Sequence, residues 1–207
     1  MTIKNCLPRL MTAAICVVLI WTDVEAQTPT ASPGDRSITV VPGPDYDAAG
    51  IKRKLLGEGW RDLWLTPTVV PVFDIGTYAG GLKVTRKGGG NQTKTLHLGT
   101  SDGRDYLFRS VNKFPVGQAM PAAIRGSTLG NIIQDQVATL FPAGALMVPP
   151  LLEANQILHV RPSLRFMPDD PRLGEFRNEF ANMLGTIELS PQEDDNDEPG
   201  FADSRKI

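Results

Sequence analysis

Apolar and polar residues alternate through the middle of this chain in a way that predicts an antiparallel sheet. Val69–Ile75 is apolar and β-branched, and Pro71 within it suits an edge strand. Gln92–Leu98 and Tyr106–Val111 each alternate, and the Ser-Asp-Gly sequence between them is typical of a tight turn. We expect Leu82–Arg86 to be a further strand that extends the hairpin begun by Val69–Ile75. We therefore expect neighbouring antiparallel strands over this part of the chain.

Apolar residues at helical spacing follow the predicted strands. One helix is expected to begin at a cap formed by Ser127 or Thr128 and to run through Leu140. A second helix is expected to begin at Asp170 and to carry an apolar stripe as far as Ile187. Strands followed by helices in this arrangement predict an α+β fold, in which helices pack on an antiparallel sheet.

The start of the chain has the organisation of a secretory signal peptide. Lys4 and Arg9 give it a positively charged beginning, and Leu10–Trp21 is an apolar run of 12 residues. A small residue at Ala26 fits a cleavage site. The run is shorter than the ~20 residues that span a bilayer, which favours export with cleavage over an uncleaved anchor. Both cysteines lie in this segment, so we expect a mature protein without disulfides, thiol nucleophiles or Cys-ligated metals.

Composition divides the chain into four parts. Residues 1–26 are the predicted signal peptide, 27–44 a disordered linker rich in Thr, Ser, Pro and Gly, 45–190 an α+β domain, and 191–207 an acidic flexible tail. The net charge is -2, and no basic stripe with interleaved aromatics is present in the sequence, so nucleic acid is not an expected partner. No transmembrane segment is expected in the mature chain.

Three adjacent glycines separate two of the predicted strands. Gly88, Gly89 and Gly90 have no Cβ, so their backbone N–H groups are open to close approach by a bound anion such as a phosphate. The same tripeptide also suits a sharp reversal at the tip of a hairpin. The residues alone leave both interpretations open.

Several longer phrases of the sequence resemble a family of exported bacterial proteins with a kinase-like fold. The matching phrases lie within 60–205 and are WRDLWLTPTVVPVFDIGTYAGGL, KGGGNQTKTL, YLFRSVNK, IIQDQVA, PAGALMVPPLLEA and MPDDPRLGEFRNEFANMLG. They are similar to the small lobe of CotH/HipA-like atypical kinases. In longer members that lobe precedes a large lobe with a catalytic Asp, and sometimes an outer-membrane barrel of the surface-antigen type. The resemblance implies a kinase-like small lobe without a complete large lobe, located in the periplasm or at the outer membrane.

The resemblance also implies a nucleotide site, with ATP and Mg²⁺ as the expected cofactors. Its expected residues are Gly88, Gly89, Gly90, Arg109, Lys113, Asp135 and Gln136. The glycines would cover the phosphates, Arg109 or Lys113 would supply a cation, and Asp135 or Gln136 would pair with that cation, as Lys and Glu pair in protein kinases. Met167 and the three residues after it would lie near a hinge between lobes.

The sequence contains no recognisable catalytic or metal motif. G-x-S-x-G, H-E-x-x-H and the Walker lysine are absent from it, and His97 and His159 have no neighbour at ligand spacing. We expect no catalytic residue, no metal site and no kinase activity for this chain alone. The alternative is a non-enzymatic envelope module that docks a protein partner through its sheet or through Trp60 and Trp64, which share a predicted helical face.

Overall fold

The computed structural model describes residues 36–89, 92–115 and 120–190. Within these residues the strands are β1 (Ser37–Val40), β2 (Thr68–Pro71), β3 (Lys83–Gly88), β4 (Thr95–Gly99), β5 (Asp105–Ser110), β6 (Ser163–Met167) and β7 (Met183–Ser190). The α-helices are α1 (Gly50–Leu56), α2 (Arg61–Leu65), α3 (Thr128–Asp135), α4 (Gly144–Ala154) and α5 (Arg177–Phe180). Short 3-10 helices lie at Pro44–Tyr46, Tyr78–Gly80, Gln136–Thr139 and Pro171–Phe176.

The strands form two antiparallel sheets. Strands β1 and β2 pair with each other, and the five-stranded sheet has the order β3-β4-β5-β7-β6. The chain first builds β3, β4 and β5 as a meander, then passes through α3 and α4, and returns so that β7 lies between β5 and β6. A parallel bridge between Val72 and Phe166 joins the end of β2 to the edge strand β6. The predicted α+β fold, with helices beside an antiparallel sheet, is confirmed.

One large hydrophobic core supports the five-stranded sheet. Alternation along β4, β5 and β7 buries Leu96, Leu98, Phe108 and Ile187. The residues that pack against them come mainly from two connections and are Phe73, Ile75, Leu82, Leu173 and Phe180. Burial of each such side chain stabilises the fold by about 1.5–3 kcal/mol relative to exposure. This alternation is why the predicted strands in the middle of the chain were identifiable from sequence.

A smaller cluster joins the helices that precede and follow the meander. Trp64 packs edge-on to Tyr46, with ring centroids 5.1 Å apart, and both contact Val137 and Ala138. The two tryptophans do not share a buried face. Trp60 precedes α2 as its N-cap, and 48% of its surface is exposed, because only its ring edge meets Phe141 at a centroid distance of 5.2 Å. Trp64 is therefore the tryptophan that packs into the domain, whereas Trp60 stays partly exposed.

The predicted helix from Asp170 to Ile187 is wrong. Asp170 does cap a helix, accepting a hydrogen bond from the Arg172 backbone N–H, but that helix is the 3-10 turn Pro171–Phe176. Gly174 has φ 56° and ψ -130°, and Asn182 has φ 56°, so the backbone leaves helical geometry twice before β7 begins. The apolar stripe belongs to a turn region followed by a strand. Because the chain returns into the sheet here, Met167 and the residues after it are not a hinge between lobes.

The boundary predicted at the end of the linker is also wrong. Strand β1 lies inside the predicted linker 27–44, and it pairs with β2 from Ser37↔Pro71 to Val40↔Thr68. Its β-branched residues Ile38, Thr39 and Val40 favour the extended backbone, a signal that the surrounding Pro and Gly residues obscured. The predicted signal peptide and acidic tail lie outside the described residues.

The segment Thr128–Ala154 is the one candidate membrane span in the described part of the chain, judged by length and apolar composition. About 11% of its most apolar stretch is buried. The backbone is not one continuous helix, because Leu140 is extended, with ψ 139°, between the 3-10 helix and α4. Helix α4 has 11 residues, about half of the ~20 that a bilayer requires. The segment therefore contributes mainly an exposed apolar surface.

The assignment of β7 as a strand makes a prediction about Gly185. A Cβ placed there would lie 2.3 Å from Phe108 Cζ and 2.7 Å from the Arg109 carbonyl oxygen. We expect Gly185→Ala to lower the free energy of unfolding by about 1–3 kcal/mol through overpacking. In the helix predicted from sequence the same change would stabilise by about 1 kcal/mol.

The matched control is Gly144→Ala in the first turn of α4, where an added Cβ meets no atom within 4 Å. We expect this variant to gain up to about 1 kcal/mol, because alanine favours the helix over glycine. Urea unfolding of both variants gives the comparison. A Gly185→Ala protein that gains stability as Gly144→Ala does would contradict the strand and its packing on Phe108.

Candidate functional site

The glycine segment makes a tight bend at the end of β3. Gly89 has φ 123°, and a Cβ on it would lie 2.4 Å from the Thr93 carbonyl oxygen. A Cβ on Gly88 would lie 2.8 Å from His97 Nε2. Close packing against backbone thus requires glycine at Gly89, whereas at Gly88 an added Cβ would meet only the far end of the His97 side chain. Neither glycine lines the cavity described below. The third predicted residue of this segment, Gly90, lies outside the described residues.

The residues between the glycines and β4 are hydrogen-bonded to the end of β5 and to the residues that follow it. The Lys94 backbone N–H donates to Ser110 Oγ at 3.1 Å, and the Ser110 N–H donates to the Lys94 carbonyl at 2.9 Å. Further along, Lys113 Nζ donates to Thr93 Oγ1 at 3.3 Å. These bonds bring the polar residues that follow the glycines beside the first residues after β5.

Arg109 lies in a row of paired residues near one end of the sheet. It pairs with Thr95 of β4 on one side and with Thr186 of β7 on the other. Its Nε donates to Glu188 Oε1 at 2.7 Å, and 43% of the Arg109 side chain is exposed. The guanidinium is therefore fixed on the sheet by one carboxylate and is still open to a second partner.

Arg109 and Lys113 line the same cavity, whose volume is about 520 Å³. The sheet provides one side of it through residues of β5, β6 and β7. The segment 140–146, which leads into α4, and Trp64 of α2 provide the opposite side. The size is within the range of small-molecule sites. Two of the predicted site residues are thus brought together at one cavity.

The two cations in this cavity raise its affinity for negative charge. Burial lowers the pKa of Lys113 below its usual value, and the nearby charge of Arg109 lowers it further. The charge of Arg109 therefore disfavours the protonated form of Lys113. An anion placed between them would stabilise both charged forms.

The predicted pairing of Asp135 with this cation is wrong. Asp135 accepts from Arg61 through both carboxylate oxygens, with Arg61 Nη1 at 3.2 Å from Oδ1, and Lys52 Nζ lies 3.0 Å from the same oxygen. Asp135 is thus bound to Lys52 of α1 and Arg61 of α2, and it does not line the cavity. Gln136 begins the 3-10 helix after α3 and does not line the cavity either.

The residue that sequence reasoning missed here is Arg61. It is 1% exposed, and it also donates to the backbone carbonyls of Tyr46 and Gly57. Its position between two tryptophans only weakly indicated burial, because a charged residue in such a short amphipathic helix normally faces water. Glu188, the partner of Arg109, was also missed, since it directly follows the segment that was predicted as a helix and was not assigned to a strand.

A second, larger cavity of about 830 Å³ carries acidic residues but offers no metal centre. Asp74 and Asp170 line it and are bound by Arg172, and Asp169 is bound by Arg177 at 2.6 Å. The arginines occupy the oxygen atoms that a metal would need. Within residues 36–89, 92–115 and 120–190, no group of three or more His, Cys, Asp or Glu residues is arranged to hold a metal ion.

The buried pair of Arg61 and Asp135 gives a prediction about stability. Removal of the guanidinium by Arg61→Met leaves a carboxylate that is only 6% exposed with Lys52 as its remaining partner. We expect a loss of about 3–5 kcal/mol in the free energy of unfolding, because the remaining buried charge is poorly compensated. The double variant Arg61→Met/Asp135→Leu should recover most of this loss. Chemical denaturation of the variants measures both effects.

The Arg61–Asp135 pair also makes the stability of the fold depend on pH. Burial alone would raise the pKa of Asp135, but the hydrogen bonds and charges of Arg61 and Lys52 outweigh it and lower the pKa. Because folding lowers the pKa of Asp135, its ionised form stabilises the fold at pH values above the unfolded pKa of about 3.9. This stabilisation is lost as the pH falls through the lower pKa of the folded state.

The control for Arg61→Met is Arg161→Met, which removes an exposed pair with Glu153 and should change the free energy of unfolding by at most about 0.5 kcal/mol. Equal effects of the two Arg variants would contradict this interpretation.

Comparisons of the chain with protein-family models, curated proteins and solved structures found no match. The α+β fold therefore rests on the strands and helices described above. The resemblance to a kinase-like small lobe stays a prediction.

Proposed function

We propose that this chain is the nucleotide-binding small lobe of an exported kinase-like protein, and that phosphate groups bind between Arg109 and Lys113. In protein kinases a Gly-rich loop covers the phosphates, and a cation on the third strand contacts them before a helix follows. The order of parts along the chain supports the proposal, because Arg109 lies on β5, the third strand of the meander, and α3 comes next. The glycine connection between β3 and β4 matches this order, but Gly88 and Gly89 do not line the cavity, so they do not cover the proposed phosphate position. Strands β6 and β7 then complete the sheet.

The observation that carries the proposal is the presence of two cations on one cavity. Two like charges at a partly buried cavity disfavour each other, as the lowered pKa of Lys113 indicates. Perturbed groups in a cavity are typical of functional sites, although structural ion pairs also produce them. Arg109 is already paired with Glu188, but a guanidinium has five N–H donors and can bind a phosphate as well.

The proposed site differs from that of a protein kinase in its carboxylate. In protein kinases the cation pairs with a Glu on the following helix. Here Glu188 of the neighbouring strand β7 holds Arg109, and the helix carboxylate Asp135 holds Arg61 instead. The cation is thus positioned by the sheet itself, so movement of α3 is not needed to fix it.

We propose binding without catalysis for this chain. Phosphoryl transfer requires acids that hold Mg²⁺ and a base at the nucleophile. Among the residues that line the described cavity, Arg109 and Lys113 are cationic and no Asp or Glu is present. ATP with Mg²⁺ is the proposed ligand. Export to the periplasm or the outer membrane is proposed from the N-terminal segment.

A non-enzymatic envelope module is the second candidate function. The observation that favours it is the exposed apolar surface of α4, where Met147, Val148 and Leu151 are each about half exposed or more. Trp60 adds an exposed aromatic side chain. Apolar side chains grouped on one helix of a folded domain commonly mark a contact with another molecule.

Titration of the purified protein with Mg²⁺–ATP tests the proposal. We expect binding that is detectable by calorimetry or by Trp64 fluorescence, since Trp64 lines the cavity. Arg109→Ala and Lys113→Met should each weaken binding about tenfold or more, because each removes a charge-assisted contact of about 1.5–3 kcal/mol. The control Lys83→Met, at an exposed position of β3, should bind as the parent does.

Thermal melting separates lost binding from lost folding. Lys113→Met should melt no lower than the parent, because the charge it removes is disfavoured by burial and by Arg109. No detectable binding by a folded protein would overturn the nucleotide proposal and leave the envelope module. Turnover in a phosphotransfer assay of the same protein would overturn the proposed absence of catalysis.

A further inference from the structure

The walls of the cavity at Arg109 and Lys113 are mostly apolar. Three helices and strands and two connections contribute the main apolar side chains, which are Trp64 of α2, Leu146 of α4, Leu184 of β7, and Val111, Leu140 and Phe141 from the connections. The two cations lie on this apolar lining together with a few hydroxyl groups. The cavity therefore has two kinds of surface, one suited to a negative charge and one suited to hydrocarbon.

Several polar groups of the cavity are already engaged. Ser110 Oγ donates to the Asn112 carbonyl at 2.7 Å and accepts from Lys94 N–H, and Trp64 Nε1 donates to the Leu140 carbonyl at 2.8 Å. Thr93 Oγ1 accepts from Lys113. A ligand that buried many N–H and O–H groups here would leave a number of them unpaired, and burial of unpaired polar groups is unfavourable. An apolar ligand body has no such cost.

The apolar surface continues from the cavity to the outside of the protein. Leu140 lines the cavity and is 44% exposed. Helix α4 carries this surface on from Leu146, which lines the cavity, to Met147, which does not and is 58% exposed. A ligand chain longer than the cavity could stay in contact with apolar side chains as it leaves.

We infer that this cavity also binds anionic amphiphiles, with one phosphate or carboxylate head between Arg109 and Lys113 and a linear apolar chain against the wall formed by Leu146 and Leu184. The inference rests on the proposed function only for the anion site. In such a ligand, hydrocarbon occupies the space that the sugar and base of a nucleotide would take. Charge attraction would hold the head, and burial of apolar surface would supply most of the remaining affinity.

Alkyl phosphates of increasing length, used below the concentration at which they form micelles, test the inference by calorimetry. We expect affinity to rise roughly three- to fourfold for each added methylene until the chain fills the cavity, as burial of CH₂ groups predicts. Fatty acids of the same lengths show whether the phosphate or the carboxylate head is preferred. Inorganic phosphate and Mg²⁺–ATP complete the set of ligands.

Variants locate the two ends of the ligand. Arg109→Ala should weaken every anionic ligand about tenfold, whereas Leu146→Ser should weaken the long-chain ligands about tenfold and leave inorganic phosphate unchanged. Met147→Ser, the next residue on α4 and outside the cavity, is the matched control and should change the affinity neither of inorganic phosphate nor of ligands whose chains fit within the cavity. Circular dichroism of each variant verifies that it is folded.

The outcomes distinguish this inference from the proposed function. Affinity that is independent of chain length would overturn the inference and keep the anion site. Binding of Mg²⁺–ATP without binding of any alkyl phosphate would overturn the inference and support the nucleotide site. Amphiphile binding that persists in Arg109→Ala would place the ligand elsewhere and also overturn it. If none of the anionic ligands binds, both proposals fail.

Discussion

The buried ion pair between Arg61 and Asp135 fixes the position of α2, which carries one residue of the cavity wall. It ties α2 to α3, and the Trp60 backbone N–H adds a bond of 2.7 Å to the Ala138 carbonyl. Through α2 it positions Trp64, whose indole holds the Leu140 carbonyl and forms part of the cavity. An ion pair of this kind does not stabilise a fold more than a well-packed apolar pair would, but its loss leaves a buried charge. The far wall of the cavity therefore depends on a contact that lies outside it.

The near wall depends on the insertion of β7 between β5 and β6. That insertion brings Glu188 to Arg109 and Gly185 onto Phe108. Charge on the sheet and apolar surface on the helices thus meet at one cavity, and this combination is what both proposals use. They agree on where a negative charge binds and differ only in what is attached to it.

Sequence reasoning predicted the meander and the cap of α3 because those signals are local. Alternation at Tyr106–Val111 and the Ser127 cap, which accepts from Gly130 N–H, depend on neighbouring residues alone. The stripe ending at Ile187 was misread, since turn residues at Gly174 and Asn182 decide between a helix and a strand. The site was predicted in part: Arg109 and Lys113 do share a cavity, but the partners of Arg109 and Asp135 follow from tertiary packing, which no spacing encodes.

The most direct test of the account is the pKa of Lys113, measured by NMR titration of its side-chain Cε–H signals in the free protein and with a bound anionic ligand. In the free protein we expect the pKa of Lys113 to lie below that of an ordinary lysine, because of burial and the charge of Arg109. A bound phosphate or carboxylate should raise it, since an anion favours the protonated form. A Lys113 pKa that does not respond to any anionic ligand would contradict the claim that this cavity binds negative charge.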